Sequence, residues 1–431
     1  MIGKEMKYVE KSLWYNDSKT DGKEERSLDA LDIMTNIHHT APFYQAIFSA
    51  DEHRVIGYEV LGRIISNEQY ISLGSFFQDD SVPEEYRIEV DDFILEKALK
   101  YILTLNDETL FFINRDANLL MLDQGQSLLG ILLKYRDKGL ALERIVIELA
   151  EHNFSGDIEQ LNHLTTYYRT YGLKIAVDNI GKESSNFDRI GILSPDILKI
   201  DLQALRKTTT TQSYHDVLYS ISLLARKIGA TLLYEDIETL FQLQYAWKNG
   251  GRYYQGYFLH QPSKEIVNSD IMKDRLKAEI QKFIHHEKKK LLSVYNLSEH
   301  FHQLITQFVQ KQKRVDDYNY LLTNLSNELD KQSFRIYICD EDGFQQSANI
   351  SKKDNKWVLQ TEYLFKNWSW RPYFLENIVR MRYSKKGILS DLYSDIESGE
   401  VIRTFSYPLN DGCYLFIDIP YSFLYEHDGL L

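Results

Sequence analysis

The chain has 431 residues, 43% of them hydrophobic and 26% charged, with a formal net charge of -13. That composition suits a soluble globular protein of two or three domains. The acidic balance argues against DNA or other broad nucleic-acid binding, because counterion release needs a basic surface, but it leaves room for one small anion held by a few cations and metals.

Residues 1–29 are polar and charged and are expected to form a poorly ordered extension. They contain no apolar core of a signal peptide, and no run in the chain reaches 18 apolar residues. No membrane span is expected, and the cytoplasm is the default address. From about residue 43 to 262, short β-branched runs alternate with amphipathic stretches. Strands are expected to end near "VIGYEVLGR", "LFFIN", "RIVIELAE", "KIAVDN", "DILKID", "TLLYED" and "YYQGYF". Helices are expected at "DDFILEKALKYIL", "SLLGILLKYRDKG", "DIEQLNHLTTYYRTYG" and "HDVLYSISLLARKIG". Repeated strand–helix units imply parallel strands with right-handed crossovers, closed into an α/β, (β/α)8 barrel over residues 30–268.

The period changes over 269–330. There Leu276, Ile280 and Phe283, then Leu291 and Tyr295, then Phe301, Leu304 and Phe308 mark linker helices. The run "HHEKKKLL" among them is expected to be a solvated helix face. From "SFRIYICDEDG" onward strands and turns return, so 331–431 reads as a small α+β domain. Cys339 and Cys413 lie in apolar runs and are expected to be two reduced core thiols.

In a barrel of this type chemistry sits where strands end and loops begin. The polar residues at those ends are Glu59, Asn114, Glu148, Asp178, Lys199, Glu235 and Gln255, each from a different strand. Taken singly, any one of them can be an ordinary helix cap or salt-bridge partner, but seven together, four of them acids, point to a site. Converging acids repel and need cations, and oxygen ligands of this kind suit hard ions: Mg2+, Mn2+ or Ca2+. No His or Cys cluster suggests zinc; His38–His39 and His285–His286 read as surface pairs.

In their order and spacing these blocks resemble the EAL domain, the phosphodiesterase barrel that acts on the bacterial second messenger cyclic di-GMP. "YEVLGR", "FFIN", "IELAE", "VDN", "LKID", "YEDIET" and "QGYFLHQP" match the family in order over about residues 40–265. The whole chain is similar to YkuI-type members, which carry a further domain after the barrel. The resemblance implies that Glu59, Asn114, Glu148 and Asp178 ligate a first metal, with Asp178 and Asn179 at a second. It implies catalytic parts for Glu59, Lys199, Glu235 and Glu151, the last bracing the loop after Asp178. Arg63, Leu61, Asp201 and Gln255 would contact or support the ligand, with Arg63 forking onto a phosphate. The implied cofactor is Mg2+ or Mn2+, with Ca2+ binding without turnover. A homodimer is also implied.

The pattern departs from the family over 178–186, where Asp-Asp-Phe-Gly-x-Gly-Tyr-Ser-Ser is usual and this chain reads "DNIGKESSN". An amide, Asn179, replaces the second aspartate; Glu183 replaces a glycine and Ser184 a tyrosine. Asp236 stands where the family usually has glycine. Three readings stay open: a cyclic di-GMP receptor with weak or no hydrolysis, an active phosphodiesterase giving the linear dinucleotide, and a scaffold working through the helices at 270–330. The last hundred residues resemble PAS/Cache-like sensor domains, carried by "RPYF" at Arg371–Phe374 and by Asp418. That resemblance implies an unknown small ligand near Trp368, Trp370, Tyr373 and Tyr393, residues that could equally be packing.

Overall fold

The structure, a computed structural model, describes residues 29–66, 68–105, 108–150, 154–180, 187–206, 212–312, 317–371, 374–409 and 412–426. It divides into two compact units, residues up to 278 and from 279 onward.

The first unit is built on β1 (Thr40–Ser49), β2 (Val55–Ser66), β3 (Gln69–Ser72), β4 (Leu110–Arg115), β5 (Ile145–Ala150), β6 (Lys174–Ile180), β7 (Ile197–Asp201), β8 (Thr231–Glu235) and β9 (Tyr253–Tyr254). Neighbours run β1-β9-β8-β7-β6-β5-β4-β2, and β1 pairs β2, so eight strands close a barrel; β3 is added to β2 outside the ring. From β2 round to β9 the pairs are parallel, with helices such as Glu84–Ile102, Gln126–Arg136 and Ile158–Arg169 between strands.

The expectation of parallel strands throughout needs one correction, because β1 runs antiparallel to both β2 and β9. The physical reason is the short connection of residues 50–54, which can close a hairpin but cannot carry a crossover. β1 was not among the expected strands. Its run "TAPFYQAIFS" holds Pro42 and a nearly continuous apolar stretch, which hides the alternation.

Strand periodicity sorts the barrel interior into layers. Phe112, Val146, Ala176, Ile197 and Leu233 form one buried apolar cluster. Two residues further along the same strands stand Asn114, Glu148, Asp178, Lys199 and Glu235. The apolar floor therefore dictates where the polar layer sits.

The second unit is an antiparallel sheet of β10 (Arg335–Asp340), β11 (Asn349–Lys353), β12 (Lys356–Gln360), β13 (Ile388–Leu389), β14 (Tyr393–Ser394), β15 (Val401–Pro408) and β16 (Cys413–Pro420), in the order β12-β11-β10-β16-β15-β13 with β14 on β15. One face packs on Leu297, Phe301, Ile305 and Phe308 of the helix Lys273–Lys311 and on Leu321, Leu322 and Leu325 of the helix Tyr318–Glu328. The other face packs on Phe374, Ile378 and Met381. Cys339 and Cys413 are buried free thiols on opposite faces, as two reduced thiols should be. On the second face Arg335 is buried among acids: Nε donates to Asp418 at 2.6 Å, Nη2 to Asp395 at 2.7 Å and Nη1 to Glu397 at 2.9 Å.

Residues 273–311 form one 39-residue helix rather than several. Leu291 and Tyr295 on it are 65% and 59% exposed, so they mark no buried stripe within this chain. His285, His286, Lys288 and Lys289 are exposed, the solvated face that was expected.

Candidate functional site

Each of β4 to β8 contributes one polar side chain at the mouth, because period-two alternation turns the residue two places after its apolar floor residue to the same interior side. Lys199 is the centre of the group. Its Nζ lies 2.9 Å from Glu148, 3.2 Å from Glu235, 3.3 Å from Asp178 and 3.5 Å from Glu59. Lys199 and Glu148 are both 1% exposed. Glu59 is fixed from both sides: Asn114 Nδ2 donates to Oε1 at 2.6 Å and Gln255 Nε2 to Oε2 at 2.6 Å. The seven residues picked out at the strand ends therefore meet in one place.

Four carboxylates surround one ammonium, and the imbalance appears in the protonation equilibria. Burial, and then the nearby Glu59 and Asp178 charges, push the Glu148 carboxyl well above the ordinary range against the pull of Lys199. Burial and Asp178 do the same to Glu235. For Lys199, burial favours the neutral amine, but the four acids outweigh it and hold the ammonium well above its ordinary value.

The donor set fits a hard divalent cation. Glu148 Oε2 is buried with no hydrogen-bond partner, and so is Gln255 Oε1. A buried carboxylate oxygen without a donor is costly, and a cation coordinated by oxygens removes the cost. Asn114 spends its amide N–H on Glu59, so its carbonyl oxygen is what it can offer a cation. Among the described residues no three His, Cys, Asp or Glu side chains already stand as a metal nest; the acids gather on Lys199 instead.

The remaining expected residues fall into three groups. Arg63 is at the rim, where Nη1 donates to Gly62 O at 2.9 Å and Ser72 Oγ at 3.2 Å; partial burial lowers its pKa, opposed by Tyr257 and Glu59. Leu61 lies between Glu59 and Arg63 on the same side of β2. Asp201 is 4% exposed, and its carboxylate accepts the Gln203 N–H that opens the turn after β7. The Asn179 side chain, Glu151 and the stretch 181–186 lie outside the described residues.

One feature escaped the sequence reading. Gln45 stands directly opposite Glu59 across the β1–β2 hairpin, on its inward side. Only recognition of β1 as a strand could have pointed to it. Asp236 has φ 56°, the left-handed region that glycine enters freely and that Asp tolerates better than most residues. The family's usual glycine at that position thus has a backbone reason.

The EAL domain family matches residues 29–262, and a family described as an EAL-domain associated signalling protein domain matches 266–431. YkuI, an EAL-domain containing protein of Bacillus subtilis (strain 168), is 60% identical over 408 residues, covering 94% of this chain and 100% of that protein. A crystal structure of the Bacillus subtilis YkuI protein in complex with c-di-GMP and calcium has a TM-score of 0.90 at 59% identity, covering 94% of this chain and 100% of that chain. The PaMucR phosphodiesterase in its c-di-GMP complex shares the fold at a TM-score of 0.50 and 19% identity, over 55% of this chain and 98% of that one. Among the described residues no helix is long and apolar enough to cross a membrane.

Proposed function

This chain belongs to the EAL-domain family, and from that premise we propose that it binds cyclic di-GMP at the Lys199-centred mouth in the presence of a divalent cation, as a receptor with weak or no hydrolysis. The observation that carries the proposal is the convergence of Glu59, Glu148, Asp178 and Glu235 on Lys199, with Asn114 and Gln255 fixing Glu59. Support comes also from the YkuI relative, crystallised with c-di-GMP and calcium.

Glu59, Asn114, Glu148 and Asp178 would hold the cation, Mg2+ or Mn2+, with Ca2+ as a non-productive substitute. Such an ion supplies Lewis acidity and a bound water of lowered pKa. The chain's own residues do the rest. Lys199 keeps the acids together and offsets negative charge that a phosphodiester brings. Gln255 and Asn114 fix the orientation of Glu59. Glu235 can hold a water by hydrogen bond. Arg63 presents a planar fork to a phosphate oxygen pair. The weak point is position 179, where an amide brings no charge to a second cation.

A second reading, an active phosphodiesterase, is favoured by the presence of Lys199 and Glu235 beside the metal-shell residues. One experiment separates the two: calorimetric titration of cyclic di-GMP with Mg2+ or Mn2+, with chromatography of the same mixture for linear product. Binding without product supports the receptor; turnover supports the enzyme. In Glu59→Ala the affinities for metal and for nucleotide should fall together, and unchanged nucleotide affinity would reject this site.

Pairing of two copies through barrel helices belongs to the same proposal, and light scattering returning a monomer mass at tens of micromolar would remove it. So does a small-molecule ligand for the second unit. Trp368, whose Nε1 donates to Gln345, is part of that unit's packing, while Trp370 is 61% exposed. Pro372 and Tyr373 of the expected motif lie outside the described residues.

A further inference from the structure

We propose that the outward face of the helix Phe374–Ser384, in the second unit, docks that unit on an anionic phospholipid surface. The proposal is independent of the cyclic dinucleotide reading above.

This helix has two apolar faces. Phe374, Ile378 and Met381 are buried in the cluster on the sheet. Leu375, Val379 and Tyr383 recur at i, i+4 and i+8, so they form a second row, about 12 Å long, turned away from the first. They are 55%, 54% and 85% exposed, and none of the three joins the apolar clusters of that unit. The chain enters the helix from Trp370, which is exposed as well. A single exposed leucine is ordinary. A row of three at helical spacing, on a helix whose other face is already packed, is a surface that meets something apolar.

The charges around the row select its partner. By helical rotation Arg382 borders it on one side and Arg380 on the other, and Lys385 and Lys386 follow the last turn. From Trp370 to Lys386 the chain carries five Lys or Arg and one Glu, although its net charge is -13. Three acids stand near these cations: Glu376 at 4.0 Å from Arg380, Glu341 at 3.0 Å from Arg382 and Glu299 at 3.4 Å from Lys386. Surface pairs of this kind are worth little in water, and their long cationic arms can turn to other anions.

A second copy of this chain would bring the same cationic stretch. In a two-fold pairing the middle of the row meets itself, which sets Arg380 beside its own counterpart, and like charges across an interface are unfavourable. An anionic bilayer answers both parts of the face. Its acyl boundary takes Leu375 and Val379, its headgroup level suits Trp370 and Tyr383, and its phosphates meet the Arg and Lys rim. A row this short gives reversible surface contact rather than insertion across the bilayer.

Vesicle co-sedimentation of the full chain tests it, with phosphatidylcholine alone and with about 30% phosphatidylglycerol added. Wild type should sediment with the anionic vesicles and stay in solution with the neutral ones, and about 0.5 M salt should release it. Val379→Asp should lower the partition coefficient by about ten-fold, and the double change Arg380→Glu/Arg382→Glu by as much or more. Melting temperature should stay at the wild-type value in both variants, because all three side chains are exposed. Wild type that remains in solution with anionic vesicles overturns the proposal. So does sedimentation that survives both variants, which would put the membrane contact elsewhere. A Val379-dependent dimer in light scattering, with no vesicle binding, gives the face to a second copy and overturns it too.

Discussion

Lys199 Nζ lies 2.9 Å from Glu148 Oε1, and both side chains are closed off from solvent. Three further acids reach the same ammonium. Removing the cation strands these charges, and breaking a buried ion pair from one side typically costs about 3–5 kcal/mol. In chelator, Lys199→Met should unfold in urea with a stability lower by about that amount, and added Mg2+ or Mn2+ should recover more for the variant than for wild type. Equal stability of the two proteins in chelator would mean that the acids are neutralised by protons, with Lys199 dispensable.

Asn179→Asp should raise hydrolysis more than binding. The change adds one negative ligand where a second cation would sit, and a second cation matters most when a water must become hydroxide. An interaction made mainly in the transition state appears in kcat. The expected gain is tens-fold, on the order of 2 kcal/mol. Product formation at saturating metal and nucleotide decides: equal activity in both proteins removes the amide as the limiting feature. If both are inactive, the residues at 183 and 184 become the next change, to Gly and Tyr.

Gly256→Ala should loosen the site from beneath. Gly256 has φ 151°, and a Cβ there would stand 2.1 Å from the carbonyl oxygen of Ile237. The close approach carries two backbone bonds, Ile237 N–H to Gln255 O and Phe258 N–H to Ile237 O. Those bonds hold Gln255 where it reaches Glu59. Separation of the strands should cost at least about 2 kcal/mol and lower the melting temperature by several degrees. Nucleotide affinity should fall with it, since Glu59 loses a donor. A variant with unchanged melting and affinity would show that the two strand ends give way easily.

Acid sensitivity of the second unit should run through Asp395. Burial pushes its carboxyl up, but the Arg335 hydrogen bonds and charge outweigh burial and leave the pKa below its ordinary value of 3.8. A depressed folded-state pKa contributes stability that is present above 3.8 and lost as pH falls below it. Asp395→Asn should therefore destabilise this unit at pH 7, by about 3–5 kcal/mol if the pair behaves like other buried ones. The gap to wild type should shrink below about pH 4. Urea unfolding at the two pH values measures it, and a gap that stays constant would assign the loss to packing rather than to charge.

Much of the barrel was legible because two signals repeat along it. Apolar runs such as "LFFIN" and "RIVIE" end in one polar residue, and amphipathic stretches of helical period lie between them. Period two then carries each terminal polar residue into the interior, so seven residues far apart in sequence could be assigned to one place. β1 escaped because its apolar run, containing Pro42, does not alternate; with it went Gln45.

By itself, the sequence determined which side chains the barrel mouth would contain, since strand alternation and the order of the motifs are local properties. It also determined the altered chemistry at 179, 183 and 184, which is a matter of residue identity. Only the tertiary structure decided how those groups pair. Lys199 could have faced any of the acids; ring closure through the β1–β2 hairpin brings four of them within reach of one ammonium. The same closure leaves β3 outside the ring and sets Tyr70 against Phe43, 27 positions earlier in the chain. Contacts of that kind depend on register and strand direction between segments, which no periodicity within one segment can specify.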